Sequence, residues 1–461
     1  MSMFKDMPVE VGVIYEGERV RKAEMQVEFG GTEVQDKFEL VRVRKPESIE
    51  DGKVTIIGPD IKEMKPDSNS PLGIIIEVAG EQVEQALEGV IERRIHYYCN
   101  YIEGLMHLNQ RYDIWVRLNK KSFEKGFNSL TYLGQILMRL FKSELPIIQK
   151  IQVTFITDPE KVKQYKQEAM KTYEERDAKA RGLKDEEVDS FYGCTLCQSF
   201  APSHICVITP QRYANCGAIS WFDGRAAAKV DPKGPVFTIQ RGETIDSEKG
   251  EYSGVNQVVK DKSLGDIDRV QLYSAFGYPH TSCGCFEGVA FYIPEVDGFG
   301  IVHRDFKGPS VNGLPFSTMA DSTAGGRQID GFHGISIEYM RSPKFLQADG
   351  GWKRVVWVPS AVKERVKEFI PAELEPKILT EKEAQTLDNL KDALKTRNHP
   401  VVQRWTEMPT EKTPEPVTKQ LHREAVVSVP TAFAGGGIKI ILKGAKISAK
   451  KVVLKSSRGD D

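Results

Sequence analysis

Six of the chain's seven cysteines fall between positions 194 and 285, as Cys194-x-x-Cys197, then Cys206, Cys216 and the triplet Cys283-Gly284-Cys285. That stretch is about a fifth of the 461 residues, so random placement would leave only one or two cysteines there. Any fold of this chain has to reconcile its packing with that concentration of sulfur. The opening MSMFKDMPVEVGVIYEGERV contains no continuous apolar leader core, and no later run approaches the roughly 20 apolar residues that cross a bilayer. The expectation is a cytoplasmic protein without membrane insertion. In a reducing compartment, clustered cysteines read as metal ligands or reactive thiols ahead of disulfides.

With 40% hydrophobic residues, a chain of this length buries more than one core, and domains of roughly 100 to 200 residues predict two or three units. Lys and Arg total 64 against 65 Asp and Glu, a formal net charge of -1. Such a balance sets up no field that favours phosphate backbones, so nucleic acid is not expected as a partner.

Period-two runs at 25–29, 38–43, 73–78, 113–118 and 151–156 predict strands. From Gln82 onward Leu87, Val90, Ile91, Ile95, Tyr98, Ile102 and Leu105 recur at helical spacing and predict one long helix, with a second spanning Phe123 to Phe141. Residues 1–157 are therefore expected to form an α/β domain and the charge-dense residues 158–190 a helical linker. Residues 191–400 are rich in glycine, proline and aromatics, with short strands such as 288–293, and are expected to form an α+β metal-cluster domain. Residues 401–461 read as a linker and basic tail, with alternating stretches at 438–443 and 451–454. The fold class expected is multi-domain, an α/β N-terminal domain plus an α+β metal-cluster domain. Gly325-Gly326 in STAGGRQIDG reads as a flexible turn.

Thiolates are soft ligands that select zinc, iron-sulfur clusters, copper(I) or nickel. Structural zinc usually takes two short knuckles, and only one Cys-x-x-Cys is present. Cys194, Cys197, Cys206 and Cys216 together suit the four irons of a [4Fe-4S] cube. In Cys283-Gly284-Cys285, two thiolates and two backbone nitrogens lie naturally in one plane, the tetragonal donor set of nickel(II) or copper(II). Glycine between them removes the Cβ that would resist wrapping the backbone around an ion. Spacing alone leaves open a [4Fe-4S] electron-transfer subunit without nickel catalysis, and a zinc-stapled scaffold.

The segments GCTLCQSFAPSHICVITPQRYANCGAISW and HTSCGCFEG resemble acetyl-CoA synthase as found in the β subunits of archaeal acetyl-CoA decarbonylase/synthase complexes. The resemblance implies a CO-methylating acetyl-CoA synthase, an acyltransferase of anaerobic methanogenesis and the Wood-Ljungdahl route. It would reversibly assemble acetyl-CoA from a corrinoid-bound methyl group, CO and coenzyme A at a nickel-nickel-[4Fe-4S] cluster. By position, the resemblance implies that Cys194, Cys197, Cys206 and Cys216 hold the cube. Cys197, Cys283 and Cys285 would hold a proximal nickel, and Cys283, Gly284 and Cys285 a distal one, giving two nickel ions besides the cube. Phe200 resembles the aromatic that walls the CO pocket. The implied partners are a methylated corrinoid iron-sulfur protein and carbon monoxide dehydrogenase subunits of a multienzyme complex. The approach of the corrinoid protein calls for a hinge, expected near the charged segment 158–190.

Outside the motif, Trp115 and Arg117 share one strand face and are candidates for contact with coenzyme A. His204, His280, His303 and Glu287 read as structural or outer-shell groups. Cys99, on the apolar side of the long helix, reads as a small buried hydrophobe.

Overall fold

A computed structural model of the chain describes residues 3–199 and 201–407. Two four-stranded mixed sheets occupy the N-terminal region. In the first, Leu72–Ala79 runs parallel to Lys37–Val43 and antiparallel to Lys150–Ile156, with Val54–Ile57 on the outer edge. The second orders Ser68–Ser70, Met25–Gly30, Trp115–Asn119 and Leu105–Leu108.

Leu72–Ala79 is apolar at almost every position, as a strand covered on both faces must be. Alternation sends Ile74 and Ile76 into a core shared with Val90, Ile91 and Ile95 of the helix Glu88–Asn100. Ile75 faces the other way, with Phe38, Leu40 and Ile156, onto Val162, Ala169 and Tyr173. Those three residues belong to Pro159–Ala178, the helix that the charge-dense segment forms. The segment is thus a covering layer as well as a connection. Its charges line the solvated side, while a narrow apolar stripe shields the sheet.

The C-terminal end of that helix enters a buried ionic seam. Arg176 bridges Glu88 and Glu92 at 2.9 Å each, Arg111 lies 3.5 Å from Glu92 and 2.9 Å from Asp177, and Tyr213 Oη donates to Asp177 at 2.9 Å.

Both predicted long helices are shorter than their periodicity. The first spans Glu88–Asn100, and Leu105 instead opens the strand Leu105–Leu108. Between them Gly104 has φ +74°, and a Cβ there would lie 2.1 Å from Ser122 Oγ. The second divides into Lys120–Glu124 and Leu130–Glu144, with Gly126 at φ +105° between. Left-handed backbone directly after Lys125 stops the first of these pieces and costs glycine little, whereas Gly104 turns the chain four residues beyond the end of its helix.

Beyond residue 189, Ser190–Cys194 forms the centre of an antiparallel sheet between Cys206–Ile208 and Val236–Gln240. A four-stranded sheet follows, ordered Phe332–Ile335, Gly288–Ile293, Gly298–His303 and Val355–Trp357. The apolar core that holds Ile91 and Ile95 also contains Tyr192, Cys194, Cys206, Cys216 and Trp221, so the cysteine-bearing sheet packs directly on N-terminal elements. A helix Val401–Glu407 continues past residue 400, with Trp405 Nε1 donating to Val296 O at 2.6 Å. The rest of the tail, including 438–443 and 451–454, lies outside the described residues. Among the described residues no helix is long and apolar enough to cross a membrane.

Candidate metal centre

Each predicted cysteine is placed by a local device. Cys194 ends its strand directly opposite Cys206, the first residue of the neighbouring strand. The chain then turns tightly, Gln198 N donating to Thr195 O and Ala201 N to Cys197 O, both at 3.0 Å, which brings Cys197 back beside the sheet. Cys216 lies in a loop closed by Ala214 N donating to Ile219 O at 3.1 Å. Gly284 adopts φ +112°, and the Cys285 amide donates to Cys283 Sγ at 3.3 Å. A Cβ on Gly284 would also press to 3.3 Å from Ala324, which stands beside the predicted Gly325-Gly326 turn.

The sulfurs of Cys197, Cys283 and Cys285 lie within 4.8 Å of one another, the one such donor group among the described residues. Cys194, Cys206 and Cys216 are not in that trio and line the adjoining core. None of the seven cysteines is in a disulfide; Cys285 alone is partly exposed. Cys99 is fully buried in the N-terminal core, as a small hydrophobe would be. Within the trio, the Cys283 and Cys285 thiols hold Cys197 well below the usual thiol range, while the Cys197 sulfur raises Cys285 to about 12.

Sequence reading missed two residues that shape this site. Arg93 is 2% exposed, its Nη2 lies 3.4 Å from Cys197 Sγ, and its guanidinium sits over the Tyr97 ring at 5.1 Å. Among the described residues it has no ion pair with a carboxylate; burial works against its charge, but Cys197, Tyr97, Cys285 and Cys216 together hold it well above the usual arginine range. The available signal was a cation inside the apolar stripe of Val90, Ile91 and Ile95. Asn215 is the second. Its amide donates to Cys206 Sγ at 3.5 Å, its Nδ2 to Thr281 O at 3.3 Å, and its carbonyl accepts from Glu287 N at 3.0 Å. It therefore straps the loop of Cys206 and Cys216 to both flanks of Cys283-Gly284-Cys285. Nothing in the sequence distinguishes it from other asparagines.

The outer groups frame the site. Glu287 accepts from Tyr112 Oη at 2.8 Å and from Ile337 N at 2.7 Å. Its carboxylate also fills the space where a Gly217 Cβ would lie, 2.3 Å away. His280 Nε2 accepts from Val207 N at 3.0 Å, and its Nδ1 donates to Thr281 O at 2.6 Å. His204 Nδ1 meets Thr281 Oγ1 at 2.9 Å, and His303 Nδ1 accepts from Asp305 N at 3.1 Å. Burial pulls His204 and His303 down to about 4, so both imidazoles are neutral at pH 7.

Trp115 and Arg117 do share a strand face, but both donate to Glu28, Arg117 stacks on the Trp115 ring at 4.7 Å, and Arg117 also donates to Val20 O. An internally engaged trio offers little to a solvated ligand. Phe200 lies outside the described residues.

A family profile described as CO dehydrogenase/acetyl-CoA synthase complex beta subunit matches residues 7–162, and a second, describing the C-terminal part of the ACS/CODH beta subunit, matches residues 173–408. The chain is 51% identical to the acetyl-CoA decarbonylase/synthase complex subunit beta of Methanothermobacter thermautotrophicus, over 98% of this chain and 100% of that one. It is 52% identical to subunit beta 2 of that complex from Methanocaldococcus jannaschii, over 98% of this chain and 97% of the relative. The solved C-terminal domain of an acetyl-Coenzyme A synthase alpha subunit is 37% identical, covering 26% of this chain and 96% of its own, with a TM-score of 0.24. By sequence, the chain belongs to the family of acetyl-CoA decarbonylase/synthase complex beta subunits.

Proposed function

We propose that the six clustered cysteines hold a nickel-iron-sulfur centre at which this chain reversibly assembles acetyl-CoA from a corrinoid-borne methyl group, CO and coenzyme A. The observation that carries this reading is the convergence of Cys197, Cys283 and Cys285 within 4.8 Å. The donor set fits the group, because the sulfurs are soft, buried and free of disulfides. Cys194, Cys197, Cys206 and Cys216 would hold a [4Fe-4S] cube. Cys197, Cys283 and Cys285 would hold one nickel, and Cys283 and Cys285 with the backbone nitrogens of Gly284 and Cys285 a second. When bound, thiolate-held nickel supplies open coordination positions at which two carbon groups can be joined and passed to a thiol.

The protein's own groups do the rest. Gly284 permits the turn that sets the Cys285 amide against Cys283. Arg93 offsets the negative charge that accumulates on the thiolates. Burial of Cys197 and Cys283 keeps water away from that pair, whereas partly exposed Cys285 marks the side from which reactants arrive. No general acid or base is assigned, since the nearby histidines are neutral and held by backbone and hydroxyl groups. Phe200 is proposed as the wall of the CO pocket. A methylated corrinoid iron-sulfur protein and carbon monoxide dehydrogenase subunits are the proposed partners.

The test is anaerobic purification, metal quantitation and an assay for carbonyl exchange into acetyl-CoA. The expected result is about two nickel and about four iron per chain, with exchange. Iron without nickel, and no exchange, would sink this reading in favour of an electron-transfer subunit.

A further inference from the structure

The turn that follows the strand Cys206–Ile208 closes on itself, Thr209 N donating to Arg212 O at 2.9 Å and Arg212 N to Thr209 O at 3.3 Å, and it returns Arg212 beside the strand just left. Arg212 is 0% exposed. Its Nη1 donates to Val207 O at 3.0 Å, its Nε to Leu272 O at 3.2 Å and its Nη2 to Asn215 Oδ1 at 2.9 Å; Nη2 also meets His333 Nε2 at 3.1 Å, and the guanidinium lies over the Tyr339 ring at 5.3 Å. Burial and Arg212 itself hold His333 well below the usual imidazole range, so that ring is neutral too. Among the described residues Arg212 has no ion pair with a carboxylate, and these partners leave its charge unmatched.

Taking an ion out of water is costly unless a counter-charge repays it. The counter-charge within reach is sulfur. Cys206 Sγ stands beside the guanidinium, and Asn215 ties the two together, its amide donating to Cys206 Sγ at 3.5 Å while its Oδ1 accepts from Arg212. Burial works against the charge of Arg212, and Cys206 leads the groups that favour it. A cysteine that ligates metal does so as a thiolate, so the anion that Arg212 lacks arrives with the cluster. Cys206 is outside the trio of Cys197, Cys283 and Cys285, which places this cation on the iron-sulfur half of the proposed centre and away from the nickel half.

We propose that Arg212 is the fixed counter-charge of the Cys206 corner of the iron-sulfur cube and raises the potential at which the cube accepts an electron. The proposal rests on the [4Fe-4S] part of the reading above. Reduction moves one electron from a one-electron donor onto the cube, with no bond made or broken. The thiolate-held cube then carries one more negative charge, and a buried cation, little screened by salt, favours that form. His333 suits the arrangement because it accepts from Arg212 without neutralising it.

The experiment follows the midpoint potential of the iron-sulfur centre by spectroelectrochemical titration of the metal-loaded full chain, in wild type, Arg212→Gln and Arg212→Lys. Arg212→Gln removes the charge and keeps an amide donor; the equilibrium constant for reduction should fall roughly tenfold, a midpoint about 59 mV more negative for one electron. Arg212→Lys keeps the charge and should stay near wild type. Iron per chain, and nickel affinity read by competition with a chelator, should be unchanged in both. If Arg212→Gln does not fold, His333→Asp sets a carboxylate against the guanidinium and should move the potential in the same direction. A potential equal to wild type in the neutral variant, or in His333→Asp where that serves, overturns the proposal. So does an equal shift in Arg212→Gln and Arg212→Lys, which would make the role one of shape and not of charge, and so does a wild type without iron. A wild type with iron but neither nickel nor exchange, whose potential still follows the charge at position 212, would count against the acetyl-CoA reading and leave the Arg212 assignment standing.

Discussion

The helix Glu88–Asn100 borders two buried polar regions that reach electrostatic balance by opposite means. Glu88 and Glu92, one turn apart, face the ionic seam, where Arg176, Arg111, Asp177 and Tyr213 meet them in pairs at 2.9 to 3.5 Å. Arg93 and Tyr97, also one turn apart, face the sulfur centre, where the sulfurs of Cys197, Cys283 and Cys285 converge beside the Arg93 guanidinium. In the seam the chain supplies both signs of charge. At the sulfur centre it supplies two buried guanidiniums against six sulfurs, Arg93 beside Cys197 and Arg212 beside Cys206, and no carboxylate to match them. The same helix thus carries a self-sufficient electrostatic joint and a deliberately unfinished one.

Substitutions that cripple one region while sparing the other separate the two. The largest effect is expected from Cys197→Ser, which removes the sulfur common to both proposed halves of the centre. Acetyl-CoA exchange should fall to background and nickel should be lost, while the urea midpoint of the metal-free protein stays close to wild type. Activity surviving intact would refute the bridging assignment. Arg176→Met should do the reverse, leaving Glu88 without its cation and Glu92 with Arg111 alone, and costing about 3 to 5 kcal/mol in a denaturant titration. Nickel and iron per folded chain should not change, and a loss of metal would mean that the two regions are coupled.

Arg93→Met tests the cation between them. Without it Cys197 loses its fixed positive neighbour, and nickel affinity should fall by roughly 10 to 100-fold, read by competition with a chelator. Removing positive charge also disfavours adding an electron, so the midpoint potential of the iron-sulfur centre should move negative. A potential unchanged from wild type would rule out the charge role. The smallest effect is expected from Trp115→Phe, which breaks one hydrogen bond to Glu28. Its cost should be about 0.5 to 1.5 kcal/mol, with no change in KM for coenzyme A; a raised KM would restore the strand face as a binding surface.

The cysteine spacing could be read from sequence because metal ligation is set by short-range chemistry, and the strands could be read because a half-buried or fully buried sheet writes its period into the chain. The helix ends could not. Gly126 breaks its helix through positive φ, Gly104 turns the chain beyond the end of its own, and the demand on Gly104 comes from Ser122, which is remote in sequence and close only after folding. The segment 158–190 hid its packing role because Val162, Ala169 and Tyr173 are a thin stripe among many charges. Arg93 was visible as a misplaced cation, but its partner Cys197 lies 104 residues away. For Trp115 and Arg117 the shared strand face was legible, but their bonds to Glu28 and Val20 O were not.

The Asn215 strap bears on the order in which the centre is put together. Its bonds to Cys206, Thr281 and Glu287 run entirely through protein atoms, and Glu287 occupies the gap that Gly217 leaves. The two cysteine-bearing segments can therefore be clasped before any ion arrives. On that footing the spacing between the two segments is set by amide and carboxylate groups, so it would be slackened by replacing Asn215 without touching a sulfur.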